Sequence, residues 1–206
     1  MFDKKYFLLF CDLDSTFEAY KKSDEFGDSH AQFSDFVNIV ERLEKELCCQ
    51  IKIHFVSGVD RSDLFSRIDY FYKNFKSSIY ERIDDCVISS GTVLNKKCQV
   101  IAKCDTDKSA YSKADGICYL LKEYGPSDVC GACFLGDSKE DISAFMMIKA
   151  IHKNLGTYAL APRSTRDYDK IINYVDFYSS KPRIVGCNEC LEKMEKHITK
   201  QIQQNK

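Results

Sequence analysis

The chain has 206 residues, 44% hydrophobic and 30% charged, with a net charge of −1. That balance describes an ordinary soluble globular protein, long enough to bury about 70% of its unfolded surface, for which one domain is the expectation. It leaves no electrostatic footprint for nucleic acid, no apolar run approaches the roughly 18 residues of a membrane span, and Met1-Phe2-Asp3-Lys4-Lys5 lacks the apolar region of a signal peptide, so a cytoplasmic location is expected.

Residues 5–12 read as a first strand, and residues 34–48 as a helix with Phe36, Val40, Leu43 and Leu47 on one side and Ser34 as its cap. Ile51 to Val56 alternates as a strand, stops at Ser57-Gly58, and yields to a helix near 61–76 carrying Leu64, Ile68, Phe71 and Phe75. Phe71, Tyr72 and Phe75 are read as core. Cys86 to Ser90 is a short strand whose hairpin partner is Thr92-Val93-Leu94 or Val100-Ile101-Ala102. A helix spans about 109–124.

Val129 to Leu135 is the next strand, leading to a helix at about 141–155 that Gly156 ends. Tyr158 to Pro162 reads as a strand, Thr165 to Tyr174 as a helix, Val175 to Ser179 as a last strand, and 188–203 as a charged terminal helix. Strands alternating with helices imply a mainly parallel sheet covered on both faces. A core over 1–186 and a C-terminal helix over 187–206, packed on that core or extending from it, is the expected division.

The 11 cysteines are odd in number and irregularly spaced, and Cys11, Cys86 and Cys118 lie in apolar stretches, which suits reduced core thiols. Cys130-x-x-Cys133 and Cys187-x-x-Cys190 have chelate spacing. Within a strand, however, positions three apart face opposite sides, so the first pair needs a backbone break to reach one metal. The histidines (His30, His54, His152, His197) lack ligand spacing and receive no role.

Chemistry concentrates at two strand ends. Cys11-Asp12-Leu13-Asp14-Ser15-Thr16 and Gly136-Asp137-Ser138-Lys139-Glu140-Asp141 each place carboxylates directly after an apolar run, which a buried strand tolerates only at its mouth. Open α/β sheets bind ligands there. An isolated Asp-x-Asp is more often a turn with capping carboxylates. Clustering several carboxylates is costly unless a cation neutralises them, and Mg²⁺ suits an all-oxygen, partly hydrated site.

Taken together, hydrophobic-Asp12-x-Asp14-x-Thr16, the strand ending His54-Phe55-Val56-Ser57-Gly58, Lys113 opening a helix and Gly136-Asp137-x-x-x-Asp141 resemble the four ordered motifs of the haloacid dehalogenase superfamily. The resemblance covers about residues 5–180, and Lys108 is the rival for Lys113. It implies a three-layer α/β/α Rossmann-like core and a phosphatase that works through an aspartyl-phosphate. In that reading Asp12 is the nucleophile and Asp14 the general acid and base. Ser57, Gly58 and Lys113 hold phosphate oxygens, and Asp12, the Asp14 carbonyl and Asp137 bind Mg²⁺. Thr16, Ser138 and Asp141 are supporting residues, with the Thr16 hydroxyl tying down the loop and Asp141 orienting the metal shell or Lys113.

The stretches from Thr16 to Ser34 and from Ser57 to Lys113 are too short for the large cap that many members insert there. An open site must draw selectivity and water exclusion from a second subunit or from a large substrate. The chain is in this respect similar to capless bacterial effector-type protein-tyrosine phosphatases, which implies a phosphoprotein substrate and delivery into a host cytoplasm. Phe17 and Tyr20 are the candidates to receive a phosphotyrosyl ring. A small-molecule phosphatase acting on a sugar or nucleotide phosphate, with a lid from another subunit, and a binding module without turnover remain the alternatives. No cysteine meets the Cys-x₅-Arg spacing of cysteine-based phosphatases.

Overall fold

Lys5–Cys11 forms β1, and its alternation explains its central place: Phe7, Leu9 and Cys11 enter one hydrophobic cluster, Leu8 and Phe10 the other, and all five are fully buried. The computed structural model describes residues 5–14, 16, 29–75, 78–88, 91–104, 112–125, 127–151, 155–160, 169–175, 177–179 and 188–204. After β1 come α1 (Ser29–Leu47), β2 (Cys49–Phe55), α2 (Arg61–Asn74), β3 (Cys86–Ile88), β4 (Thr92–Leu94) and β5 (Val100–Lys103). The chain continues with α3 (Ser112–Glu123), β6 (Val129–Gly136), α4 (Ile142–Ile151), β7 (Leu155–Leu160), β8 (Phe177–Ser179) and α5 (Asn188–Gln204).

Five strands form one sheet in the order β2-β1-β6-β7-β8, with every neighbouring pair parallel. The chain steps from β1 to β2 on one side and later to β6 on the other, so the strand order reverses between β1 and β6. A crevice opens at the carboxyl ends of such a pair. One face of the sheet packs on Phe36, Val40 and Leu43 of α1, Leu64, Ile68 and Phe71 of α2, and Ile198 of α5. The other packs on Ile117 and Leu120 of α3 and Phe145 of α4. The fold is therefore mixed α/β with a parallel sheet buried on both faces, and α5 packs on the core, where an Arg42–Glu195 ion pair also ties it to α1.

A second sheet, β3-β4-β5, is antiparallel and accounts for the region between the second and third motifs. Of the two candidate hairpin partners of β3, Thr92–Leu94 (β4) is the one that pairs with it, and Val100–Lys103 (β5) pairs with the other edge of β4 instead. Isolated parallel bridges, Ile53 to Ile83 and Val56 to Val87, join this unit to β2. Gly116 lets α3 lie close against β3, for a Cβ there would stand 2.4 Å from a Val87 methyl.

Several boundaries differ from the sequence reading. Ser34 lies inside α1, which begins at Ser29, so it is not the cap. α1 ends where Cys48 takes φ 51°, a left-handed turn more often given to glycine. Gly156 ends no helix: it belongs to β7, Leu155–Leu160, and residues 161–162 of the expected strand lie outside the described residues. The expected helix from Thr165 is helical among its described residues only at 169–171, and the last strand begins at Phe177 rather than Val175. Tyr72 is 42% exposed, whereas Phe71 and Phe75 are core.

Cys130 and Cys133 also break the expected alternation. A register shift of β6 against Tyr6 and Phe7 places both in the same cluster, with the Cys130 thiol donating to the Tyr6 carbonyl at 3.2 Å. The residues around Cys187 and the Cys190 side chain lie outside the described residues. No helix among the described residues is long and apolar enough to cross a membrane.

Candidate active site

Backbone hydrogen bonds carry the motif strands to one edge. The Asp12 N–H donates to Leu135 O, Val56 N–H to Cys11 O, and Ser57 N–H to Val87 O, each at 2.9 Å. The ends of β1, β2, β3 and β6 thus converge. Asp12, Thr16, Ser57, Asp137, Ser138 and Asp141 are all buried there, and among the described residues His54 alone adds to that set of buried polar side chains. Polar burial of this density is expensive in a core and marks a site built for a charged occupant.

The turn after β6 is organised by Asp141. Its Oδ2 accepts from the Asp137 N–H at 3.1 Å, the Ser138 N–H at 3.0 Å and the Ser138 hydroxyl at 2.9 Å, a capping box at the start of the short 3₁₀ turn Lys139–Asp141. Its Oδ1 accepts from Lys113 Nζ at 2.7 Å. Gly136 makes room for this carboxylate, because a Cβ on Gly136 would stand 2.6 Å from it. The glycine in Gly136-Asp137 thus has a steric cause.

Lys113 stands on the first turn of α3 and spans two motifs, with Nζ 3.1 Å from Asp12 Oδ1 and 2.7 Å from Asp141 Oδ1. Burial alone would push the ammonium down, but Asp141 and Asp12 outweigh it and hold Lys113 well above the ordinary lysine value. Asp12 is the converse case. Burial raises its carboxyl from 3.8 to about 6, opposed by Lys113 and reinforced by Asp141 and Asp14. More positive charge beside it would favour its ionised form further.

Asp12, Asp137 and Asp141 form a buried cluster whose ligand atoms lie within 4.8 Å of one another, a donor set able to hold a metal ion. The donors are all carboxylate oxygens, which suits a hard cation. Because Asp141 already serves four donors, Asp12 and Asp137 are the carboxylates best placed to bind it directly. Among the described residues no cysteine joins such a group.

Asp14 is not part of that cluster. Its Oδ1 accepts from Arg67 Nη2 of α2 at 2.8 Å, and the same nitrogen reaches Asp63 Oδ2 at 2.9 Å. Sequence reasoning missed Arg67, and the separation of 53 positions between it and Asp14 offered no signal beyond an ordinary i,i+4 pair with Asp63. Gly58 is exposed, and a Cβ on it would meet nothing within 4 Å. The Thr16 N–H closes a turn on Leu13 O at 3.4 Å, while its buried hydroxyl has no hydrogen-bond partner among the described residues. Phe17, Tyr20 and Lys108 lie outside the described residues.

His54 is buried beneath the site rather than in it. It stacks on Phe10, its Nδ1 lies 2.7 Å from Asp85 O and its Nε2 lies 3.1 Å from the Tyr124 hydroxyl, and burial pushes it down to about 4, so it is neutral. No protein-family model matches this chain, and no curated protein matches it either.

Proposed function

We propose that this chain is a Mg²⁺-dependent phosphomonoester hydrolase of the haloacid dehalogenase type, working through an aspartyl-phosphate on Asp12, with a phosphoprotein, foremost a phosphotyrosyl one, as substrate. The observation that carries this reading is Lys113 between Asp12 and Asp141 at the β1/β6 switch point. A buried nucleophilic carboxylate there has a fixed cation at one side and the Asp137 carboxylate close by.

A carboxylate is a weak nucleophile and a phosphate monoester is a dianion, so their approach demands positive screening. Lys113 supplies one part of it. Bound by Asp12, Asp137 and the Asp14 carbonyl, Mg²⁺ would supply the rest. The Ser57 hydroxyl and the Gly58 N–H are the donors for phosphate oxygens. In the first step a bond forms from an Asp12 oxygen to phosphorus as the bond to the leaving oxygen breaks, and Asp14 gives that oxygen its proton. In the second step Asp14 takes a proton from water, the water oxygen attacks phosphorus, and the Asp12 carboxylate departs with release of inorganic phosphate.

A large substrate is favoured by the region between Ser57 and Lys113. Its described residues form α2, one 3₁₀ turn and the three-stranded β3-β4-β5 sheet rather than a separate covering domain. The test is Mg²⁺-dependent phosphate release from a phosphotyrosyl peptide and from hexose phosphates in parallel, with Asp12→Asn as the blank. Preference for the peptide supports the proposal. Preference for the sugars overturns the protein-substrate half, and release by neither, or equal release by the blank, overturns the phosphatase reading.

A further inference from the structure

We infer that Arg67 is a positioning residue that aims the Asp14 carboxyl for proton transfer, with Asp63 as its counterweight. The inference rests on the phosphatase reading above and adds to it a residue outside all four motifs. Asp14 lies beyond the end of β1, and a general acid must come within about 2.6–3.2 Å of the oxygen it protonates. A charge-assisted hydrogen bond from a side chain on a packed helix helps to hold that geometry. Arg67 is rigidly based on the second turn of α2, whose adjacent residues Leu64, Ile68 and Phe71 are buried in the core. Its side chain, like that of Asp14, is only 16% exposed.

The contact is made through Asp14 Oδ1. As the bond from phosphorus to the leaving oxygen breaks, the Asp14 proton passes to that oxygen, and Asp14 becomes the carboxylate that Arg67 binds most strongly. Asp63 matters in the opposite half of the cycle. When Asp14 carries its proton, Arg67 remains paired through the same Nη2 with Asp63, so no partly buried cation is stranded. Two carboxylates to one guanidinium let Asp14 change charge while Arg67 stays in place. Lysine, a point charge without the planar fork, would hold the direction less well.

Leaving-group dependence tests this directly, because an acid catalyst matters most when the departing oxygen is basic. For wild type, Asp14→Asn, Arg67→Gln, Arg67→Lys and Asp14→Asn/Arg67→Gln, kcat/KM in Mg²⁺ is measured with 4-nitrophenyl phosphate and with phenyl phosphate. This ratio reports the transfer to Asp12 and excludes the later hydrolysis common to both substrates. Arg67→Gln is expected to lower kcat/KM on phenyl phosphate by about 10- to 100-fold and on 4-nitrophenyl phosphate by less than about threefold. Arg67→Lys should recover part of the loss, and the double variant should be no worse than Asp14→Asn.

Equal losses on both substrates, or a double variant whose losses multiply, would overturn the inference and leave Arg67 a structural residue. Circular dichroism identifies a variant that has lost its fold. If Arg67→Gln does so, Arg67→Lys decides by the same comparison, a larger loss on phenyl phosphate supporting the inference and equal losses overturning it. Wild type without activity, or Asp12→Asn as active as wild type, is a different result. It overturns the phosphatase reading and this inference with it.

Discussion

Among the described residues two ion triads flank the candidate site, each with two carboxylates sharing one cation, and they differ mainly in depth. Asp12–Lys113–Asp141 is buried, with carboxylate side chains 4% and 0% exposed, whereas Asp14–Arg67–Asp63 stands at the rim at 16%, 16% and 36%. Their closest contacts are nearly equal, 2.7 and 2.8 Å. Distance therefore does not separate them. Depth does, since a buried charge that loses its partner cannot turn to water. The inner triad suits a fixed electrostatic frame, and the outer one suits a group that must gain and lose a proton.

The largest effect should come from replacing Asp12, the nucleophile of the proposed reaction. Asp12→Asn is expected to lower Mg²⁺-dependent turnover by at least about a thousandfold while leaving the fold intact. Stability should survive because burial already pushes the Asp12 carboxyl up to about 6, so a neutral isostere suits the pocket. Turnover near wild type would reject the covalent role, and an unfolded circular dichroism spectrum would reject the account of the pocket.

Next comes the shared cation of the inner triad. Lys113→Met leaves Asp141 and Asp12 buried without it, which is expected to cost about 3–5 kcal/mol in chemical denaturation without metal. A loss below about 1 kcal/mol would mean that the inner triad behaves like a surface pair.

The inner triad should also respond to pH through the metal proposed to bind there. With Asp12 near 6 in the metal-free protein, a proton occupies the carboxylate below that pH and must leave before a cation binds. Apparent Mg²⁺ affinity, followed by metal-induced thermal shift at pH 5, 6 and 7, should fall up to about tenfold per unit below pH 6 and level off above it. His54 requires that affinity rather than bare melting temperature be compared. Its folded value near 4 lies below the ordinary 6.5, so the unfolded chain takes up the proton first and stability is lost as pH falls from 6.5 towards 4. A Mg²⁺ affinity flat from pH 5 to 7 would contradict direct binding by Asp12.

The smallest effect belongs to a pair with shorter contacts than either triad. Arg42 meets Glu195 by two bonds of 2.6 Å, but half of its side chain is in solvent. Arg42→Gln is expected to move the melting temperature by less than about 2 °C. A shift as large as that of Lys113→Met would show that fork geometry, rather than depth, governs these pairs.

Much of the site was legible because strand ends announce themselves. The apolar run before Asp12 and that before Asp137 each stop at carboxylates, and both runs are strands of one parallel sheet. Lys113 could be proposed from its place at a helix start, and Asp141 as its partner through the resemblance, but its contact with Asp12 could not. Where local signals misled, packing had overridden them. Gly156 looks like a helix stop and instead continues β7 in pairing with Cys133, because sheet hydrogen bonds outweigh the weak turn preference of one glycine. Ser34 looks like a cap, yet α1 already runs through it from Ser29.

The sequence by itself determined the alternation of strands and helices, the carboxylates at strand mouths and the mainly parallel sheet, since these depend on periodicities of two and about 3.6 residues that are local to the chain. Only the tertiary structure decided that Asp141 is occupied by its own turn and Lys113, that a register shift brings Cys130 to the side of Cys133, and that Arg67 meets Asp14. Each of these depends on the three-dimensional placement of side chains or on the register between strands. Distance along a chain carries no information about which side chains meet across packed layers, and the direction of an ion pair is set by the burial around it.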